Sequence, residues 1–480
     1  MDRINPIYLK EARQVVKNGT FYSILYVAYL SALFVAVMVL ESAQNSRRVY
    51  DGTAFFNYFV IGCGLVTCIL FPLYYSYKFS TEIRDKDSSL FFTTPMSPMR
   101  IMVGKFSFGA SYCIFFQLLA LPFFLLCSIG RGVSLELIIV VSIYFLFAST
   151  GIMSLALFMG AALNKLGIVG RASTLFTCAI GGLALGGAFG LSGYFNNSLS
   201  SRGDFYASFA LILAMILFDA TLFFLCSRAQ ITVAYANCNI AIKGMLLLRL
   251  VLTPLVFYLA QLCCDFADIL ASFWFYLGFS YLCMNLFFSF LRNVNYGKRV
   301  RLSISTDPLR RSLQMLIYSG PINDFLWGII FGILTICAGM LFKSMDIINY
   351  AENDTLSLVC LLIYAAVWAL VGIFTKRIFA NNQSANIIAI NVTVVCMIIM
   401  VLLPALVNAA FSSYASTVAG VFMNPLMMFT AKRGILWHSL TLDGAILFVL
   451  LIMNYKSFTE AFATFKPLIR LTREQALENM

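Results

Sequence analysis

Apolar runs of about twenty residues follow one another along nearly the whole chain, separated by short polar stretches. Each run matches the length a helix needs to cross the roughly 30 Å apolar layer of a bilayer. They occupy residues 21–40, 55–77, 101–129, 136–163, 172–193, 206–227, 246–264, 270–291, 323–342, 355–375, 385–410 and 434–454. A membrane β-barrel would instead show alternating segments of about ten residues with a polar lumen face, and these runs do neither. The pattern predicts an all-α fold: a polytopic helical membrane protein with about twelve transmembrane helices.

The polar interruptions carry the remaining information. In residues 78–105, Glu82, Arg84, Asp85, Lys86 and Asp87 precede Leu90-Phe91-Phe92-Thr93-Thr94-Pro95, then Ser97, Pro98 and Gly104-Lys105. The charged cluster is expected to form one short helix at the membrane surface, with Ile83, Leu90 and Phe91 facing lipid or protein. Pro95 and Pro98 end it before the chain re-enters the membrane. At the N-terminus, Ile4, Ile7, Tyr8, Ala12, Val15 and Val16 share one helical face, with Arg3, Lys10, Arg13, Gln14 and Lys17 on the other. Asn5 suits the cap of this helix and Pro6 its first turn, and a basic amphipathic helix before a span is expected to lie in the interface. Residues 228–248 are semi-polar and suggest a second interfacial segment, and 292–318 form a second charged one. The order of the first half thus recurs in the second and suggests two six-helix halves. The expected organisation is an interfacial helix at 1–20, a first half at 21–230, a second at 231–454 and a tail at 455–480.

Charge fixes the expected orientation. With the N-terminus in the cytoplasm, 26 of the 33 lysines and arginines fall in cytoplasmic segments, so both termini are expected there. The net charge of +12 is then a topology signal and calls for no nucleic acid. Composition agrees with a membrane chain: 61% of residues are hydrophobic and 11% charged, too few to cover a soluble surface. Nearly all of the 13 cysteines fall inside apolar runs and are expected to be reduced packing residues. The first run is span-length with no small-residue cleavage site after it, so it is expected to be retained.

Catalytic patterns are scarce. The single histidine, His438, rules out a His pair or Cys/His metal cluster, and no G-x-x-x-x-G-K-[ST] loop exists to cradle ATP. Neither an enzyme nor a metal or cofactor on this chain is expected. Span five carries Gly182, Gly186 and Gly190 at four-residue spacing, beside Gly181, Gly187 and Gly193, which suggests a face for close helix approach. Asp219 and Asp443 stand inside the last span of each half, where a carboxylate is costly and should face the bundle or line a path. Residues 411–433 are too apolar for a free loop.

Two polar elements resemble a known family. Asn5-Pro6-Ile7, Leu9-Lys10-Glu11 and Arg13-Gln14 look like the opening of permease subunits of the type-two ABC transporter family. The acid, basic cluster, Leu-Phe-Phe, Thr-Thr-Pro, Ser and Gly-Lys of residues 82–105 resemble its segment after the second membrane helix. Residues 411–433, with Asn424-Pro425, resemble its outer helix before the last span. The resemblance covers roughly residues 1–165 and thins beyond. Lys86-Asp87 depart from it, because the family usually has a small residue there. It implies an elbow helix with Lys10, Glu11 and Arg13, and a coupling helix with Glu82, Arg84, Asp85, Lys86, Thr93, Thr94 and Pro95, both docking on a separate ABC ATPase subunit. ATP and Mg would then belong to that partner. The permease would act as a homo- or heterodimer or as one chain forming both halves, in a prokaryotic cytoplasmic membrane. A secondary transporter, for which Asp219 and Asp443 speak, is the alternative, and a membrane-embedded enzyme a distant third.

Overall fold

The computed structural model describes residues 5–17, 52–84, 96–129, 133–166, 202–231, 239–263, 267–292, 298–345, 354–380, 385–410 and 433–465, with scattered positions in 19–41 and 180–190. Helix accounts for 94% of the described residues and no strand occurs among them, so the all-α class holds. The chain divides into two compact units, Met1–Ile231 and Thr232–Met480.

In the first unit, α1 (Pro6–Lys17) is followed by α2 (Gly52–Gly64), which runs through a π-helical turn, Leu65–Leu70, into α3 (Phe71–Arg84). Then come α4 (Pro98–Ile129), α5 (Leu135–Leu166) and α6 (Arg202–Ile231). Two apolar cores hold them. Phe56, Phe59, Phe124, Val141, Phe145 and Phe205 fill one. Val15 of α1 joins Phe71, Tyr75, Phe79, Met102, Tyr112 and Met153 in the other, where the Phe71 and Tyr112 rings stack with centroids 3.8 Å apart.

The second unit contains α7 (Asn239–Cys263) and α8 (Ala267–Phe287), the latter closed by a 3-10 turn, Phe288–Leu291. Two short surface helices follow, α9 (Lys298–Ser303) and α10 (Pro308–Ile317). Next are α11 (Pro321–Ser344), α12 (Asp354–Ile378), α13 (Ala385–Ala410), α14 (Arg433–Met453) and α15 (Tyr455–Thr464). Helix α12 lies in the middle of this unit: Leu358, Cys360, Ala366, Ala369 and Leu370 are fully buried, and Tyr364, Val367 and Trp368 pack with Leu436 of α14. Residues past α15 are not all free tail, since buried Phe465 meets Tyr318 with ring centroids 5.7 Å apart.

Among the described residues nine helices are long and apolar enough to cross a membrane, which makes this an integral membrane protein of several spans. The runs at 21–40 and 172–193 fall largely outside the described residues, and of 385–410 only Ala385–Met397 is described to the level of side chains.

Three local expectations change. Glu82 and Arg84 do not begin a separate helix; they end α3, because the Lys78–Glu82 pair one turn apart and Ile83 carry the helical pattern on. No separate interfacial helix precedes the seventh run over 239–248, because α7 is continuous from Asn239 and its polar first turn bonds inward. The glycine face of span five is also reassigned. Among the described residues nothing lies within 4 Å of a Cβ on Gly182, Gly186 or Gly190, whereas a Cβ on Gly181 would stand 2.5 Å from the Cys68 carbonyl oxygen and one on Gly187 would meet the Tyr144 hydroxyl.

Candidate functional site

Helix α1 is amphipathic, but its buried face is not purely apolar. Ile7, Glu11 and Val15 are one turn apart and all buried, with Glu11 fully enclosed, while Lys10 and Arg13 lie on the exposed side. The helix start is fixed by Asn5: its Oδ1 accepts the Ile7 backbone N–H at 3.0 Å and its Nδ2 donates to the Arg100 carbonyl at 2.7 Å. One bond caps α1 and the other ties it to α4. Gly104 makes this approach possible, since a Cβ there would sit 2.8 Å from the Ile7 Cβ and 2.9 Å from Asn5.

That contact leads Glu11 to two lysines. Its Oε2 lies 2.7 Å from Lys78 Nζ of α3, and its Oε1 pairs with Lys105 Nζ of α4. Lys105 also binds Glu82 Oε2 at 2.6 Å, and Glu82 Oε1 lies 4.0 Å from Lys78. The four groups form a closed ring of alternating charge joining three helices. Lys105 is buried with its ammonium 4.9 Å from the centre of the Phe79 ring, and its carbonyl accepts the Tyr75 hydroxyl at 3.1 Å. Burial by itself would raise the Glu11 carboxyl, but Lys105 and Lys78 outweigh it and hold the pKa below the ordinary carboxylate value. Isolated burial of any one of these charges would cost several kcal/mol, which the alternation offsets. The ring offers no nucleophile beside a base. It ties α1, α3 and α4 to one another through buried ion pairs.

The second unit holds a related cluster with the signs exchanged. Asp324, in the first turn of α11, is fully buried; its Oδ1 lies 2.7 Å from Lys243 Nζ and its Oδ2 accepts Asn239 Nδ2 at 2.8 Å. Arg292, just past the turn that ends α8, brings Nε to 3.5 Å from the same oxygen. Lys243 also donates to the Leu316 carbonyl at 2.7 Å and so closes the end of α10. In the first unit Glu11 of α1 meets Lys78 near the end of α3 and Lys105 in the early turns of α4; in the second, Lys243 early in α7 and Arg292 just after α8 both meet Asp324 in the first turn of α11. Pro98 and Pro321 open those last helices. Lys105 lies seven residues past its proline and Asp324 three, positions that fall on the same helix face.

Of the residues singled out in the sequence, the structure brings Glu11 and Glu82 together. Asp85, Lys86, Thr93, Thr94 and Pro95 lie outside the described residues, as do 411–432. Asp443 is fully buried on α14 and accepts the Ser439 hydroxyl of the preceding turn at 3.1 Å. Asp219 is half-buried on α6. Lys78 and Lys105 were legible only as ends of the charged segment; the signal for them is that Glu11 interrupts an apolar stripe and needs a buried cation. Arg249 stands inside the 246–264 run, and an arginine within a span is itself a signal that it faces the bundle or a partner. It is buried in α7 with its guanidinium carbon 3.9 Å from the centre of the Trp274 ring, and its Nε donates to the Trp274 carbonyl at 3.2 Å. Compared with known proteins, the chain matches no family model, no curated protein and no solved structure.

Proposed function

We propose that this chain is the membrane-spanning permease subunit of an ATP-driven ABC transporter of the exporter type, moving its substrate with energy from a separate ATPase subunit. The observation that carries this reading is the ring: the two segments that resemble the type-two family, residues 5–14 and 82–105, are the two that Glu11, Glu82 and Lys105 join. A partner that displaces residues 85–95 would act on α3 and α4 together, and through Glu11 on α1. In this reading Arg84, Asp85, Lys86, Thr93, Thr94 and Pro95 meet the ATPase, Lys10 and Arg13 border the contact, and Glu11 and Glu82 transmit it. About twelve spans in two halves, with both termini in the cytoplasm, complete the picture.

The test is purification of the tagged full chain with its ATPase from native membranes in mild detergent, followed by reconstitution. A P-loop ATPase should accompany the chain and drive transport. Asp85→Lys with Lys86→Glu should weaken that association, an ion pair at the rim of an interface being worth about 1 kcal/mol. Transport driven by an ion gradient alone, with no ATPase present, would instead establish a secondary transporter.

A further inference from the structure

Helix α10 turns its apolar side away from the protein. Leu309, Leu313 and Ile317 follow one another at four-residue intervals and are 79%, 60% and 46% exposed. The opposite side carries buried Met315 and Gln314, whose Oε1 accepts the Ser305 backbone N–H at 2.7 Å and whose Nε2 donates to the Ser303 carbonyl at 3.3 Å. An amphipathic helix packed on a water-soluble surface does the reverse. Positive charge accompanies the stripe: Lys298, Arg299, Arg301, Arg310 and Arg311 stand against a single acid, Asp307. Arg301 and Arg310 are exposed, and the pair Arg310 makes with Asp307, at 3.8 Å, is open to solvent on both sides.

The level of the helix is also fixed. The span before it ends at Leu291 and the span after it begins at Pro321, so both ends are tied to one membrane face. Lys243, near the start of a third span, holds the carbonyls of Leu316, Ile317 and Tyr318 at the end of α10. From the outward stripe, the arginines beside it and the tether at a membrane face, we infer that α10 is an interfacial lipid-binding helix. Leu309, Leu313 and Ile317 enter the acyl region, and the exposed Arg301 and Arg310 contact anionic headgroups of that leaflet. Its partner is the lipid surface, which distinguishes this charged segment from the one at 78–105.

Hydrogen–deuterium exchange of the full-length protein reads this directly, in nanodiscs of phosphatidylcholine alone and of phosphatidylcholine mixed with phosphatidylglycerol. Peptides covering 304–320 should exchange more slowly in the anionic discs, and Arg301→Gln with Arg310→Gln should remove about thirtyfold of that protection. Leu309→Ser with Leu313→Ser should speed exchange in both disc types. Unchanged exchange in α12 peptides of both variants would show that the unit remains folded. Equal exchange of 304–320 in the two lipid mixtures overturns the inference. So does protection that appears in lipid-free detergent only when a soluble protein such as an ATPase subunit is added.

Discussion

Glu11→Gln keeps the size of the side chain and its capacity to hydrogen-bond, but it leaves Lys78, Glu82 and Lys105 with one uncompensated positive charge. The site is closed: Glu11 is 0% and Lys105 1% exposed. Removing one partner of a buried pair costs about 3–5 kcal/mol. Glu82 remains 2.6 Å from Lys105, and Lys78 reaches solvent, so the low end, about 3 kcal/mol, is expected. A helix of 12 residues does not persist alone in water, so the loss falls on the docking of α1. Exchange protection of its amides should drop by about a hundredfold while α5 peptides are unchanged. The pH dependence has a definite sign. The depressed pKa of Glu11 means its stabilisation is fully present above the ordinary carboxylate range and is lost as pH falls through the lowered value, a step Glu11→Gln should lack. The double variant with Lys105→Gln retains only the Lys78–Glu82 pair, and its cost should fall short of the sum of the single costs by more than about 1 kcal/mol. Strict additivity, or unchanged α1 protection in Glu11→Gln, would refute the ring as a coupled unit.

Other substitutions probe the remaining contacts. Gly104→Ala places a methyl against Ile7 and Asn5 and should loosen α1 by about 1–3 kcal/mol, read as faster proteolysis of the N-terminal segment. Asp324→Asn leaves Lys243 and Arg292 without their carboxylate; a loss of about 3 kcal/mol should appear as a lower melting temperature and faster tryptic cleavage at Arg310 and Arg311. Gly278→Ala drives a methyl into Arg249, whose Cδ would be 2.8 Å away, and should destabilise the second unit by about 1–3 kcal/mol. Asp443→Asn keeps the Ser439 bond, so thermal stability should stay within about 1 kcal/mol of the parent; a larger fall would mean the ionised carboxylate is required.

The nine described spans were legible because bilayer thickness imposes a length on apolar runs that no local detail disguises. Helix α1 was legible in its period and in Asn5-Pro6, for capping acts within a few residues. Its central residue was not: Glu11 finds its cations 67 and 94 residues away, and no local rule reports such a distance. The charged segment misled for a related reason. Glu82 reads as the start of a surface helix, yet its carboxylate turns to Lys105, and only the fold supplies that partner. The glycines of span five show the same limit, since four-residue spacing finds a bare face but not whether a neighbour lies on that face or beside it.

The two charge clusters also differ in their response to an electric field. The ring of Glu11, Lys78, Glu82 and Lys105 has two carboxylates and two ammonium groups, so it can shift along the membrane normal without net electrical work. Lys243, Arg292 and Asp324 together retain one positive charge. Carrying that charge across the full potential is worth about 2.3 kcal/mol per 100 mV, and a partial shift proportionally less. A displacement of the second cluster along such a field would therefore involve net electrical work, and the same displacement of the first would not.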